Sequence, residues 1–156
     1  MKSTRYILVD HSTKGPGTSK WGKSAACWAL FYRLDRMPYE VGLLYSHNER
    51  TNRMFFRGVL AGLEYCIDND KENSCDYGLV VKGDCECVIN VLNGKTGRYK
   101  LSRFYDIAKH LEERLKTEKQ VDVRYEYIPR NEKIYQSIDQ CAKRGRAFIE
   151  SQLGIK

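Results

Sequence analysis

Two hydrophobic rhythms alternate along the chain and predict an α/β fold: a five-stranded mixed sheet with helices on both faces. The first third holds three strand-like segments separated by short polar breaks, which describes an antiparallel meander. The remainder interleaves helix-period stretches with two more strand-like runs. One of these is short and almost wholly apolar, as expected of a parallel strand buried under helices. A chain of 156 residues suits one domain, 1–156, with a real core.

Residues 5–13 read as the first strand, and Lys14-Gly-Pro-Gly-Thr18 as the turn that ends it, since Gly accepts positive φ and Pro fixes its own φ. Residues 24–33 and 39–46 are apolar and aromatic-rich strands, broken by Leu34-Asp-Arg-Met-Pro38. Asn52 or Thr51 is expected to cap a helix to Asp68, with Phe55, Val59, Leu60, Leu63 and Cys66 or Ile67 on one face. Tyr77–Lys82 is the central buried strand. A short helix over 84–92 ends at Asn93-Gly94, and a longer one over 102–117 carries Phe104, Ile107, Ala108, Leu111 and Leu115 on one stripe. Val121–Ile128 alternates like a half-buried strand, Pro129 stops it, and a last helix covers 134–153. The order is β-β-β-α-β-α-α-β-α.

Composition narrows the class. Hydrophobic residues make up 42% and charged residues 30%, near globular averages, so a disordered tail is not expected. No apolar run approaches the roughly 20 residues that cross a bilayer, and the start passes into a strand without a signal-like apolar region. A soluble, cytoplasmic protein with no membrane partner is the expectation. Cys27, Cys66, Cys75, Cys85, Cys87 and Cys141 are then expected as reduced thiols. Cys85-x-Cys87 lacks the ligand spacing of a zinc knuckle. The net charge of +7 and pI near 9.1 favour a polyanionic partner, because clustered Lys and Arg release phosphate counterions on binding.

Three carboxylates draw attention by position. Taken singly, Asp84 suits a helix N-cap and Asp139 a solvated helix face. Asp10 suits an ordinary turn, but it lies inside the apolar run of the first strand, where burying an unmatched carboxylate is costly. Their surroundings carry a family pattern. Gly83-Asp-Cys-Glu-Cys-Val-Ile-Asn-Val-Leu-Asn-Gly94 closely resembles the Gly-Asp-Ser-x-x-Val-Ile-Asn-x-Leu-Asn-Gly of the ribonuclease H family. Met54–Glu64, after Thr51-Asn52, is similar to that family's first helix. Tyr6–Ser12, the turn after it and Trp21-Gly22 resemble the first hairpin. Tyr127-Ile-Pro-Arg130 and Ile138-Asp-Gln-Cys-Ala142 resemble the end of the fifth strand and the last helix.

The resemblance implies a ribonuclease H-like fold and hydrolysis of the RNA strand of RNA/DNA hybrids, with two Mg²⁺ (or Mn²⁺) held by an Asp-Glu-Asp-Asp set. Asp10, Asp84 and Asp139 match three of those carboxylates and become the implied catalytic and metal-binding residues. Such cations stabilise the attacking and leaving oxygens of an in-line displacement. Nucleic acid, an RNA/DNA hybrid first, is the implied partner. Ser12, Asn52, Arg53, Arg57, Lys95, Arg98 and Lys100 are its candidate contacts, with Tyr99 and the basic Lys143, Arg144 and Arg146 beside them.

Departures cluster at the same site. The family Glu falls on Phe55, or on Phe56 in a shifted alignment, and neither binds a metal. Glu64 lies half a helical turn away from Phe55. Glu49 and Glu86 are the remaining nearby carboxylates, and a solvated surface place suits both. His11 replaces the Gly after the first Asp, either as a metal or phosphate contact or as an ordinary edge residue. Tyr135 stands where the family has Asn, and none of the three histidines lies between the fifth strand and last helix. Two readings stay open: a nuclease with a rearranged metal site, or a domain that binds nucleic acid or protein without cleaving it. A transposase-like relative on the same fold is disfavoured by the Gly-Asp-x-x-x-Val-Ile-Asn match.

Overall fold

A computed structural model describes residues 3–14, 22–69, 75–95 and 101–129, together with Ala147, Ser151 and Gln152. Its elements are β1 (Ser3–Lys14), β2 (Gly22–Phe31), β3 (Glu40–Glu49), α1 (Thr51–Asp68), β4 (Tyr77–Gly83), α2 (Glu86–Leu92), α3 (Ser102–Lys119) and β5 (Asp122–Tyr127). The five strands form one sheet in the order β3-β2-β1-β4-β5. The β1–β2 and β2–β3 pairs are antiparallel, as the short breaks between them require. The β1–β4 and β4–β5 pairs are parallel, reached through helical crossovers. The helix expected over 134–153 falls largely outside the described residues, of which Ala147, Ser151 and Gln152 are helical.

Two faces of the sheet have different tenants. The apolar stripe of α1, from Phe55 and Phe56 through Val59, Leu60 and Leu63 to Cys66 and Ile67, packs with Ile7, Val9, Trp28 and Leu30 in one continuous core. Ala108, Leu111 and Leu115 of α3 close that core from outside. Leu8, Cys27, Ala29, Phe31 and Ile128 form a smaller cluster on the opposite face. The assignment follows from strand alternation: residues 7 and 9 point one way and residue 8 the other. Close approach of α1 to the sheet depends on Gly58, where a Cβ would lie 2.9 Å from Val9 and 3.0 Å from Ala26.

Several boundaries differ from expectation for local reasons. β2 stops at Phe31 because Arg33 folds back, gripping Asp35 through two hydrogen bonds of 3.0 and 2.7 Å. Neither Thr51 nor Asn52 caps α1; the N-cap is Arg50, whose carbonyl accepts the first helical bond from the Met54 N–H at 2.8 Å. α2 begins at Glu86 with Cys85 as N-cap, so Asp84 does not cap it. At its other end Asn93-Gly94 closes α2 as expected, with Gly94 at φ 72°. Among the described residues, no helix is long and apolar enough to cross a membrane.

Candidate active site

Strand register brings the two central aspartates together. The parallel pairing of β1 and β4 ends at Val9 opposite Gly83, so Asp10 and Asp84 are the next residue on each strand. β1 carries on as the partner of β2, with Asp10 opposite Cys27 and His11 opposite Ala26. β4 leaves the sheet toward α2. The result is a notch at the carboxyl ends of two parallel strands, where α/β sheets place their ligands. Gly83 is needed at its floor, since a Cβ there would lie 2.1 Å from Cζ of Phe55 and 3.1 Å from the Val9 carbonyl oxygen.

Alternation along β1 sends Asp10 toward the face of Leu8 and His11 toward the face of Val9 and α1. Beside an unbroken sheet the two side chains stay apart. At the notch no strand separates the faces, and one donor atom each from Asp10, His11 and Asp84 lies within 4.8 Å of the others. Asp10 is fully buried, while His11 and Asp84 are half-buried. A buried carboxylate costs free energy, and a second one close by adds to it; a cation between them offsets both. The His11 ring stands edge-on to Phe55 at 5.9 Å and 87°.

Two carboxylates and an imidazole at this reach suit one divalent cation. They do not suit the four-carboxylate set for paired Mg²⁺. Phe55 is fully buried against Gly83 and His11, and Phe56, also fully buried, stacks on Phe104 at 5.6 Å. Neither alignment therefore supplies the missing carboxylate. Glu64 is exposed on the far side of α1, and Glu86 is exposed in the first turn of α2. Glu49 is buried and committed elsewhere, accepting from the Arg50 N–H at 2.9 Å and pairing with Arg57 at 3.4 Å. Asp139 lies outside the described residues.

The expected nucleic-acid contacts are placed unevenly. Ser12 is buried in β1, and Arg57 is half-buried in its pair with Glu49. Arg53 is half-buried in the first turn of α1, and Lys95 is exposed just after α2. Arg98, Tyr99, Lys100, Lys143, Arg144 and Arg146 fall outside the described residues. Asn52 is exposed, but its amide is occupied. Cys85 Sγ–H donates to its Oδ1 at 3.3 Å, and its Nδ2–H donates to Cys87 Sγ at 3.6 Å. This link ties the start of α1 to the residues that follow Asp84. Spacing alone did not signal it, because the partners lie more than thirty residues apart.

No protein-family model and no curated protein matches the chain in sequence. Solved structures do match in shape. The N-terminal ribonuclease H domain of a Mycobacterium tuberculosis protein, solved as a fusion with maltose binding protein, aligns at TM-score 0.67 and 16% identity, covering 92% of this chain and 99% of its own. Ribonuclease H1 of the archaeon Halobacterium salinarum aligns at 0.68 and 19%, covering 91% and 98%. The compost-derived LC11 ribonuclease H1, solved in complex with an RNA/DNA hybrid, aligns at 0.66 and 15%, covering 81% and 86%. The chain therefore has the ribonuclease H-like fold.

Proposed function

We propose that this ribonuclease H-like chain acts on nucleic acid as a divalent-metal-dependent endonuclease, cutting the RNA strand of RNA/DNA hybrids with an incomplete carboxylate set. The observation that carries the reading is the meeting of Asp10, His11 and Asp84 within 4.8 Å at the carboxyl edge of the central strands. The complex of LC11 ribonuclease H1 with an RNA/DNA hybrid supports the choice of substrate. The net charge of +7 is consistent with a polyanionic partner, and a cytoplasmic location is part of the same proposal.

The residues divide the work by chemistry. Asp10 and Asp84 would hold the cation, with Asp139 as a third carboxylate. His11 keeps its ring orientation through the edge contact with Phe55. A cation bound there would supply Lewis-acid polarisation of a phosphate oxygen. Arg53, Lys95, Arg98 and Lys100 are proposed to seat the backbone phosphates, since Lys and Arg position a duplex without reading its bases. Asn52 and Ser12 take part less directly, one through the thiols of Cys85 and Cys87 and the other from a buried strand position.

A second reading has its own observation. Phe55, fully buried where the family has Glu, favours a domain that binds nucleic acid or a protein partner without cleavage. Incubation of the purified chain with a labelled RNA/DNA hybrid and Mg²⁺, Mn²⁺, Co²⁺ or Zn²⁺ separates the two. Cleavage that disappears in Asp10→Asn supports the nuclease; an intact hybrid at every metal concentration supports the binding domain. Duplex and branched DNA controls define the substrate.

A further inference from the structure

We infer that Asp10, His11 and Asp84 form a mixed nitrogen–oxygen site for one divalent transition-metal ion, in place of an all-oxygen site for paired Mg²⁺. The exchange takes place on a single face of the sheet. On the α1 side the oxygen donor is lost, because Phe55 is a fully buried phenyl ring. On that same side a nitrogen donor is gained, because His11 stands where the related pattern has a Gly and its ring rests against Phe55 at 5.9 Å. The two departures therefore touch each other and act together.

The donors also approach from different directions. Asp10 comes from the face of Leu8, His11 from the face of Val9, and Asp84 from the strand end between them. A cation held in this way keeps open positions for water or a phosphate oxygen. Mg²⁺ demands oxygen ligands and gives up its water reluctantly, whereas imidazole is a good ligand for Co²⁺, Zn²⁺ and their neighbours. With Phe55 on the α1 flank, that side offers no carboxylate to a second ion. The phenyl edge contact also limits rotation of the imidazole, so the nitrogen is presented in a restricted orientation.

This inference rests on the reading of Asp10 and Asp84 as the cation edge, but not on any substrate. The test therefore uses the full chain with no nucleic acid present, so that failure here and failure to cut a hybrid are separate results. Titration calorimetry with Mg²⁺, Mn²⁺, Co²⁺ and Zn²⁺ is expected to give one ion per chain, with Co²⁺ and Zn²⁺ bound more tightly than Mn²⁺ and Mg²⁺ the weakest. His11→Ala is expected to weaken Co²⁺ and Zn²⁺ by about tenfold or more while leaving Mg²⁺ within about twofold. The imidazole nitrogen modulation in the spin-echo spectrum of the Mn²⁺-loaded protein should vanish in the same variant. His11→Gln, which keeps bulk against Phe55, carries the test if His11→Ala does not fold. Two Mg²⁺ per chain, or Co²⁺ binding unchanged in the His11 variants, overturns the proposal. So does a thiolate charge-transfer band in the Co²⁺ protein that is lost in a Cys85→Ser, Cys87→Ser double variant, since the ion would then sit on the thiols.

Discussion

Phe55 shows how one side chain holds a site together while withholding a ligand from it. Its ring fills the space that a side chain at residue 83 would take and supports His11 by its edge. Phe55→Glu buries a charge in that space and is expected to lower the free energy of unfolding by about 3 kcal/mol or more in urea titrations. A loss under about 1 kcal/mol would show that the position tolerates a carboxylate and that the site is close to the full set. Asp10→Asn should act in the opposite direction in cation-free protein. Removing one of two carboxylates held within 4.8 Å of His11 and of each other is expected to raise stability by about 1 kcal/mol, read as a higher midpoint of urea unfolding. Excess divalent cation should cancel that gain. At this scale the aspartates and the Phe55 departure were legible in the sequence. The reach of His11 was not, because strand alternation by itself puts residues 10 and 11 on opposite faces.

Among elements, the site depends on how the starts of α1 and α2 meet the ends of β1 and β4. Gly83 lets Phe55 of α1 close on β4, and Gly58 lets the next turn of α1 close on β1 and β2. Gly83→Ala and Gly58→Ala are each expected to cost about 1–3 kcal/mol, with Gly83→Ala the larger because its obstruction is a buried ring only 2.1 Å away. Thermal unfolding followed by circular dichroism would check the order. The Asn52 link to Cys85 and Cys87 is partly exposed and weaker. Asn52→Ala should change stability by no more than about 1 kcal/mol, yet raise the rate at which both thiols are alkylated, measured by mass spectrometry. Element types were readable from periodicity, but their caps were not. Asn52 has the right side chain for an N-cap and spends it on two sulfurs that only the packed helices bring near.

The whole molecule carries its charge and the shifted phenols of Tyr39 and Tyr125 as collective properties. With a net charge of +7, affinity for a hybrid should fall as salt rises, with a linear log–log slope that measures the phosphates neutralised. Stability should also fall at high pH. Burial raises the Tyr39 phenol to about 12, and burial followed by the charge of Glu112 holds Tyr125 well above the ordinary range. Both folded forms keep their protons where the unfolded chain has already lost them. Their contribution is therefore fully present below about pH 10 and is lost as pH rises through the folded values. Melting temperatures measured between pH 9 and pH 12 should drop, and Tyr39→Phe should remove part of that drop. An unchanged slope in Tyr39→Phe would show that the ring of Tyr39 opens to solvent before it ionises.

By itself the sequence determined the order of strands and helices from β1 to β5, the parallel centre of the sheet and the two aspartates at its edge. Those features depend on local periodicity and on a run of residues around Asp84 that stays contiguous along the chain. Only the tertiary structure decided that His11 joins Asp10 and Asp84, that Glu49 is committed to Arg57 and that Asn52 joins two thiols. The first depends on where β4 stops beside β1, which continues, and the last on how the starts of α1 and α2 meet. Both are set by register and packing between segments far apart in the chain, whereas the Glu49–Arg57 pair joins the end of β3 to α1 across eight residues and needs only the turn between them.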